Sequence, residues 1–142
     1  MPTSNATAVW KGGLRDGTGE FSAGSGAFEG AYSFPTRFEG AEGTNPEELV
    51  AAAHAACLSM ALSAGLERDG TPPESITTTA HCTLEKQDAG FRITKMRLVV
   101  RGKVPGMSAA AFQEAADAAK DGCPISNALK GNVAFELEAA LV

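Results

Sequence analysis

Between Ser75 and Lys86 the chain alternates with a period of two: Ile76, Thr78, Ala80, Cys82 and Leu84 share one face, and Thr77, Thr79, His81, Thr83 and Glu85 share the other. That is the pattern of a strand with one side on a core. It turns Cys82 inward and His81 towards water. Asp88-Ala89-Gly90 follows as a short hairpin loop with glycine available for φ > 0, and a second strand is expected over 91–101. The apolar phase of that strand slips from Phe91 and Ile93 to Met96, Leu98 and Val100, which predicts a bulge near Thr94-Lys95.

Upstream the period changes. Asn45 is a good N-cap, Pro46 suits the first helical position and Glu48 completes a capping box, so a helix begins there. Leu49, Ala53, Ala56, Cys57, Met60 and Ala64 form its expected apolar stripe, and it ends near Asp69 with Gly70 before Pro72-Pro73. At about 1.5 Å per residue it extends roughly 35 Å, a central spine for so small a protein. Ahead of it, the first 43 residues hold nine of the 16 glycines, interleaved with Val9, Trp10, Phe21, Phe28, Tyr32, Phe34 and Phe38, a pattern of short strands and tight turns.

Downstream, Pro105-Gly106 makes a turn, and Ser108 can cap a helix through Asp121 that Gly122 closes; Phe112, Ala115 and Ala119 lie on its apolar face. Cys123-Pro124 repeats the start signal and places Cys123 at the N-cap of a short helical turn reaching about Lys130. A last strand alternates Val133, Phe135, Leu137, Ala139 and Leu141. The class is therefore α+β with largely antiparallel sheets.

Length adds that 142 residues fit one domain over 1–142, large enough to fold without disulfides or structural metal. With 44% apolar and 20% charged residues the chain is an ordinary globular one. Its net charge of −5 and the single scattering of its 12 basic residues make nucleic acid and anionic membranes poor partners. Leu49 to Leu66 carries no formal charge and is just long enough to raise a membrane span. Its Ala-rich content, with His54, Ser59, Ser63 and Gly65, fits a helix buried in a soluble protein instead. Met1 to Asn5 shows neither a basic nor an apolar leader segment, so the cytoplasm is the expected compartment.

Cys57, Cys82 and Cys123 are an odd number in a chain expected to stay in the cytoplasm, so no disulfide framework is expected, and no two are close enough for C-x-x-C, so neither a zinc ribbon nor a thioredoxin-type motif is available. Taken alone, Cys57 in mid-helix reads as a small core hydrophobe. Cys123 differs, since an N-cap thiol meets the positive helix end, where thiol pKa falls from about 8.5 towards roughly 3.5–7.5. An activated thiol with a second in reach makes a two-cysteine redox cycle, but spacing does not say whether these two meet. Glu47 suits a helix's first turn whatever else it does, and lies about 15 Å along the axis from Cys57. Arg37 stands in what reads as a Gly-rich strand-turn segment; an Arg beside a thiol favours thiolate, and a carboxylate on its other face fixes its direction. By spacing alone it is a solvated Arg. His54, three residues before Cys57, reads as structural, because neither an oxyanion hole nor an orienting partner accompanies it.

Together, Thr36-Arg37-Phe38-Glu39-Gly40, Gly43-Thr44-Asn45-Pro46-Glu47-Glu48-Leu49, Ala52-Ala53-His54-Ala55-Ala56-Cys57, Asp88-Ala89-Gly90-Phe91 and Gly122-Cys123-Pro124-Ile125-Ser126 resemble the osmotically inducible protein C (OsmC) branch of the OsmC and organic hydroperoxide resistance family, over essentially the whole chain. The resemblance implies an OsmC-like fold and a thiol-dependent peroxidase working as an intertwined homodimer with its sites at the subunit interface. It implies Cys57 as peroxidatic thiolate, Cys123 as resolving thiol, Arg37 as stabiliser of the thiolate and Glu47 as the orienter of Arg37, with Arg15 the runner-up cation. Hydroperoxide would be the substrate and a dithiol such as dihydrolipoamide or a lipoylated protein the reductant, with no bound cofactor or metal. Phe34, Phe38 and Met60 are candidates for lining an apolar pocket, and Cys82 matches no family motif. The competing expectation is a redox-silent stress or small-ligand-binding protein of the same fold.

Overall fold

A computed structural model describes residues 1–142, the whole chain. Three short strands, β1 (Ala6–Lys11), β2 (Thr18–Ala23) and β3 (Glu29–Tyr32), form an antiparallel sheet in that order. Trp10 and Tyr32 meet at 5.5 Å and Phe21 and Tyr32 at 6.0 Å between ring centroids. Gly19 sits beneath Trp10 and Tyr32, where an added Cβ would come within 2.6 Å of the tyrosine ring. The glycine is there to let the aromatic rings close over the backbone.

The segment expected to be strand and turn is instead a helix, α1 (Phe34–Phe38). Its cause is local. Ser33 Oγ accepts from the Thr36 amide at 3.3 Å while Thr36 Oγ1 accepts from the Ser33 amide at 2.9 Å, a reciprocal capping box that nucleates a turn despite its length. Pro35 pre-sets φ in that first turn. Gly40, at φ 69°, ends it.

The long helix α2 (Pro46–Arg68) begins as expected: Asn45 Oδ1 accepts from the Glu48 amide at 2.8 Å. Only half of the expected capping box forms, because the Glu48 carboxylate takes the Thr44 hydroxyl at 2.7 Å. Two compact units divide the chain at 1–49 and 50–142, with α2 starting in the first and continuing through the second.

In the second unit β4 (Ser75–Gln87) pairs antiparallel with β5 (Gly90–Lys103), and β6 (Ala134–Leu141) lies parallel to β5 on its other side. Thr83 pairs with Lys95 and Leu84 with Ile93, which leaves Thr94 as the bulged residue at the expected place. Cys82 is half-buried and packs against the core, and His81 is exposed, as the alternation required. The final crossover is parallel because a helical connection, α3 (Ala109–Gly122) with α4 (Pro124–Leu129), returns the chain to the same end of the sheet.

The buried stripe of α2 differs from the expected one. His54, Leu58, Leu62 and Leu66 are buried, while Ala53, Ala56, Met60 and Ala64 are exposed, Met60 at 76%. The helix is Ala-rich on every side, so its apolar period carries almost no phase; the four-residue spacing of its leucines, the largest apolar surfaces available, decides which side packs. Those leucines join Met96, Leu98 and Val100 of β5 and Phe112 and Ala116 of α3 in one core. By length and composition α2 would suffice to cross a membrane, and here its leucine side is packed on protein. Ser108 caps α3, its Oγ accepting from the Ala111 amide at 3.2 Å. Gly122 is the last helical residue rather than a left-handed closure, since the helix ends when Cys123 turns extended ahead of Pro124.

Candidate active site

Cys123 is fixed by its neighbours. A residue before proline is pushed out of the helical region, and Cys123 at φ −71° and ψ 124° both ends α3 and serves as N-cap of α4. Its side chain is fully buried and turned to α2, where Cys57 sits one position before the core residue Leu58. The two sulfurs, 66 residues apart in sequence, stand 2.9 Å apart as free thiols sharing a hydrogen bond. The contact that spacing left open is made.

A hydrogen bond between two sulfurs stabilises a single negative charge on the pair, because one thiol can donate to the other as thiolate. Burial pushes the Cys57 thiol up, its hydrogen bond and electrostatic repulsion with Cys123 push it further, and only the Ile125 amide opposes them. Cys123 is also penalised by burial, yet the Cys57 thiol, the Ser126 amide and hydroxyl, and the Ile125 amide together bring its pKa down. Within the 50–142 unit the surroundings therefore favour the charge on Cys123 over Cys57. Nothing acting on Cys57 in that unit is a cation.

A second link runs beside the first. His54, one turn before Cys57 on α2, is wholly buried, and its Nε2 lies 2.7 Å from Ser126 Oγ on α4. The ring packs edge-on to Phe135 at 5.4 Å, and Nδ1 is buried without a partner. Burial lowers the His54 pKa, which keeps the imidazole neutral near pH 7. His54 was set aside from sequence as structural. Ser126 was legible only as part of the Cys123-Pro124-Ile125-Ser126 run, with no role attached.

In the 1–49 unit, the Arg37 guanidinium grips Glu47 through Nε at 3.2 Å from both carboxylate oxygens and through Nη2 at 2.6 Å from Oε1. The carboxylate is buried and about a third of the Arg37 side chain is exposed, so the acid anchors and the cation is presented. α1 is tied to the start of α2 by the Asn45 side-chain amide, which donates to the Thr36 carbonyl at 3.4 Å, and Glu47 occupies the first turn of α2. Arg37 also lies over the Phe38 ring at 5.2 Å, and Phe38 meets Phe34 at 4.8 Å. Arg15 stacks on Phe34 at 4.7 Å, so the runner-up cation shares the aromatic pair but not Glu47.

A cleft of about 260 Å³ opens among Trp10, Leu14, Tyr32, Phe34, Arg37 and Phe38. Phe34 and Phe38 thus line a pocket as expected, whereas Met60 stands out on the exposed side of α2. The Phe34 and Phe38 rings beside a held guanidinium suit an apolar molecule with one polar end. A larger groove of about 510 Å³ over β2 and β3 presents Glu20 and Glu29 and neither thiol nor cation. No group of three or more His, Cys, Asp or Glu side chains is placed to hold a metal ion.

The family model described as OsmC-like protein matches residues 39–138. Peroxiredoxin OsmC of Escherichia coli is 48% identical over 132 residues, 92% of each chain. The organic hydroperoxide resistance protein of Xanthomonas axonopodis pv. citri is 35% identical, covering 97% of this chain and 94% of its own. Among solved structures, an organic hydroperoxide resistance protein from Elizabethkingia anophelis superposes with a TM-score of 0.83 at 28% identity, over 100% of this chain and 98% of that one. The chain belongs to the OsmC-like family, and its α+β architecture is that family's fold.

Proposed function

We propose that this protein is a two-cysteine thiol peroxidase that reduces organic hydroperoxides and hydrogen peroxide. The observation that carries the reading is the pair of free thiols, Cys57 and Cys123, with their sulfurs 2.9 Å apart. The relatives named peroxiredoxin OsmC and organic hydroperoxide resistance protein support a peroxide-detoxifying oxidoreductase.

The Cys57 thiolate attacks the distal peroxide oxygen, the O–O bond breaks, and alcohol or water leaves after taking a proton, with Cys57 oxidised to the sulfenic acid. Cys123 then closes the disulfide. A dithiol such as dihydrolipoamide or a lipoylated protein reduces it by exchange and is itself oxidised to its disulfide. Each step is carried by sulfur. Cys57 needs a cation to make it the reacting anion, because its own unit raises its pKa. In this reading Arg37, oriented by Glu47, supplies that charge across the interface of an intertwined homodimer in the cytoplasm. The exposed apolar side of α2, with Ala53, Ala56, Met60 and Ala64, supports a second copy covering it. The aromatic cleft beside Arg37 favours hydroperoxides with an organic tail.

Steady-state turnover tests the proposal. With cumene hydroperoxide, dihydrolipoamide should sustain many turnovers, and more per second than thioredoxin or glutathione at equal thiol concentration. Failure of every dithiol to support more than one equivalent of peroxide consumed would contradict a catalytic cycle.

A further inference from the structure

The two links between α2 and α4 have matched spacing. Cys57 meets Cys123 and His54 meets Ser126, three residues apart on each helix and in opposite order. Residues three apart share a helix face. N-cap and N3, the positions of Cys123 and Ser126, are also the two whose side chains meet in a capping box. The Cys123 side chain makes no cap bond of its own, and Ser126 stands at N3 of the same short helix, where its amide and hydroxyl both act to lower the Cys123 pKa. So a buried chain of polar groups runs from the His54 ring through Ser126 to Cys123 and on to Cys57.

Its direction follows from proton counting. Ser126 has one hydroxyl proton. If Nε2 of His54 were the acceptor, Nδ1 would carry an N–H buried without a partner. An orphaned buried donor is rarer and costlier than an under-used acceptor. The neutral imidazole therefore carries its proton on Nε2 and donates to Ser126 Oγ, which leaves the hydroxyl proton for the sulfur.

Resting on the peroxidase reading above, we propose that His54 and Ser126 are positioning residues for the resolving thiol: His54 orients the Ser126 hydroxyl towards Cys123 Sγ and holds that sulfur as the thiolate that attacks. In that step the Cys123 thiolate attacks the sulfenic sulfur of Cys57, the S–S bond forms and the S–O bond breaks. Hydroxide leaves and takes a proton from solvent to become water; Cys123 sulfur is oxidised and Cys57 sulfur reduced to the disulfide level. A faster closure shortens the life of the sulfenic acid and with it the exposure of Cys57 to sulfinic oxidation.

The test separates this inference from the peroxidase reading. Thiolate absorbance at 240 nm is followed against pH in a Cys57→Ser, Cys82→Ala background, where Cys123 is the remaining thiol and no peroxide is involved. Removing a hydrogen bond to a charged acceptor should cut the Cys123 thiolate-to-thiol ratio about tenfold in Ser126→Ala. His54→Leu should behave similarly, and His54→Gln, which keeps a donor, should recover part of the loss. Ser126→Ala is a near-isosteric change, so its titration stands even if His54→Leu misfolds. With the native cysteines present, Ser126→Ala should also accumulate more Cys57 sulfinic acid per equivalent of cumene hydroperoxide. A Ser126→Ala titration superimposing on its parent overturns the proposal. Wild-type protein left unoxidised by peroxide overturns the peroxidase reading and leaves the titration to stand.

Discussion

Cys57→Ser protein should consume cumene hydroperoxide at less than about a thousandth of the wild-type rate, since loss of a nucleophile removes the covalent route altogether. A serine hydroxyl in the same place does not ionise near neutral pH and cannot take an oxygen atom to form a sulfenic acid. The substitution is close to isosteric, and Cys57 is not part of the leucine-centred core formed with β5 and α3, so the fold should persist. Cys123→Ser should behave differently. It keeps the first oxidation and loses the disulfide, so one equivalent of peroxide reacts promptly and later equivalents carry Cys57 to sulfinic acid. A peroxide-consumption assay followed by intact-mass measurement reads both. Wild-type turnover by Cys57→Ser would remove the proposed nucleophile.

Arg37→Ala should lower kcat/KM for organic hydroperoxide about a hundredfold, the scale of losing one preorganised electrostatic partner of the reacting group. Two effects add. In the role proposed for Arg37, the guanidinium would no longer favour the Cys57 thiolate, and the departing oxygen would lose its donor. Arg37→Lys should retain the charge and recover only part of the rate, because an ammonium cannot reproduce the three contacts to Glu47. Glu47→Gln keeps an acceptor oxygen for Arg37 but removes the fixed charge, and should cost less than Arg37→Ala. If Arg15→Ala instead produced the larger loss, the cation would be the one stacked on Phe34. Rates at several pH values separate the causes: an effect on thiolate formation shrinks as pH rises past the Cys57 pKa, and an effect on the leaving oxygen does not.

The sequence was a good guide wherever a local rule had one answer. The β4–β5 hairpin and its bulge at Thr94 follow from strict alternation and its single slip, because a half-buried strand cannot change phase without an extra residue. The starts of α2 and α3 follow from Asn45 and Ser108, whose side chains take the amides their caps demand. The buried side of α2 was not legible. An Ala-rich helix offers similar apolar surface in every direction, and only the sheet it meets decides that Leu58, Leu62 and Leu66 turn inward. The parallel placement of β6 depends on the α3–α4 crossover packing back across the sheet, a tertiary fact. For the site, the family motifs point to Cys57, Cys123, Arg37 and Glu47, and the structure joins them as two pairs, Cys57 with Cys123 and Arg37 with Glu47. Composition and spacing alone do not point to them, because pairs 10 and 66 residues apart meet through tertiary placement. The α1 helix is not legible in the glycine and aromatic pattern of the first 43 residues; it follows from the reciprocal capping of Ser33 and Thr36. Ser126 is legible only as part of the Cys123-Pro124-Ile125-Ser126 run, and its role has no sequence signal because its partner His54 lies 72 residues away.

The account stands on oxidation joining two particular sulfurs. Fully reduced protein treated with one equivalent of cumene hydroperoxide, quenched with alkylating reagent and digested, should lose two mass units and yield a cross-linked peptide containing Cys57 and Cys123, with Cys82 alkylated. Recovery of Cys57 and Cys123 both alkylated and unchanged, while the peroxide persists, would contradict it.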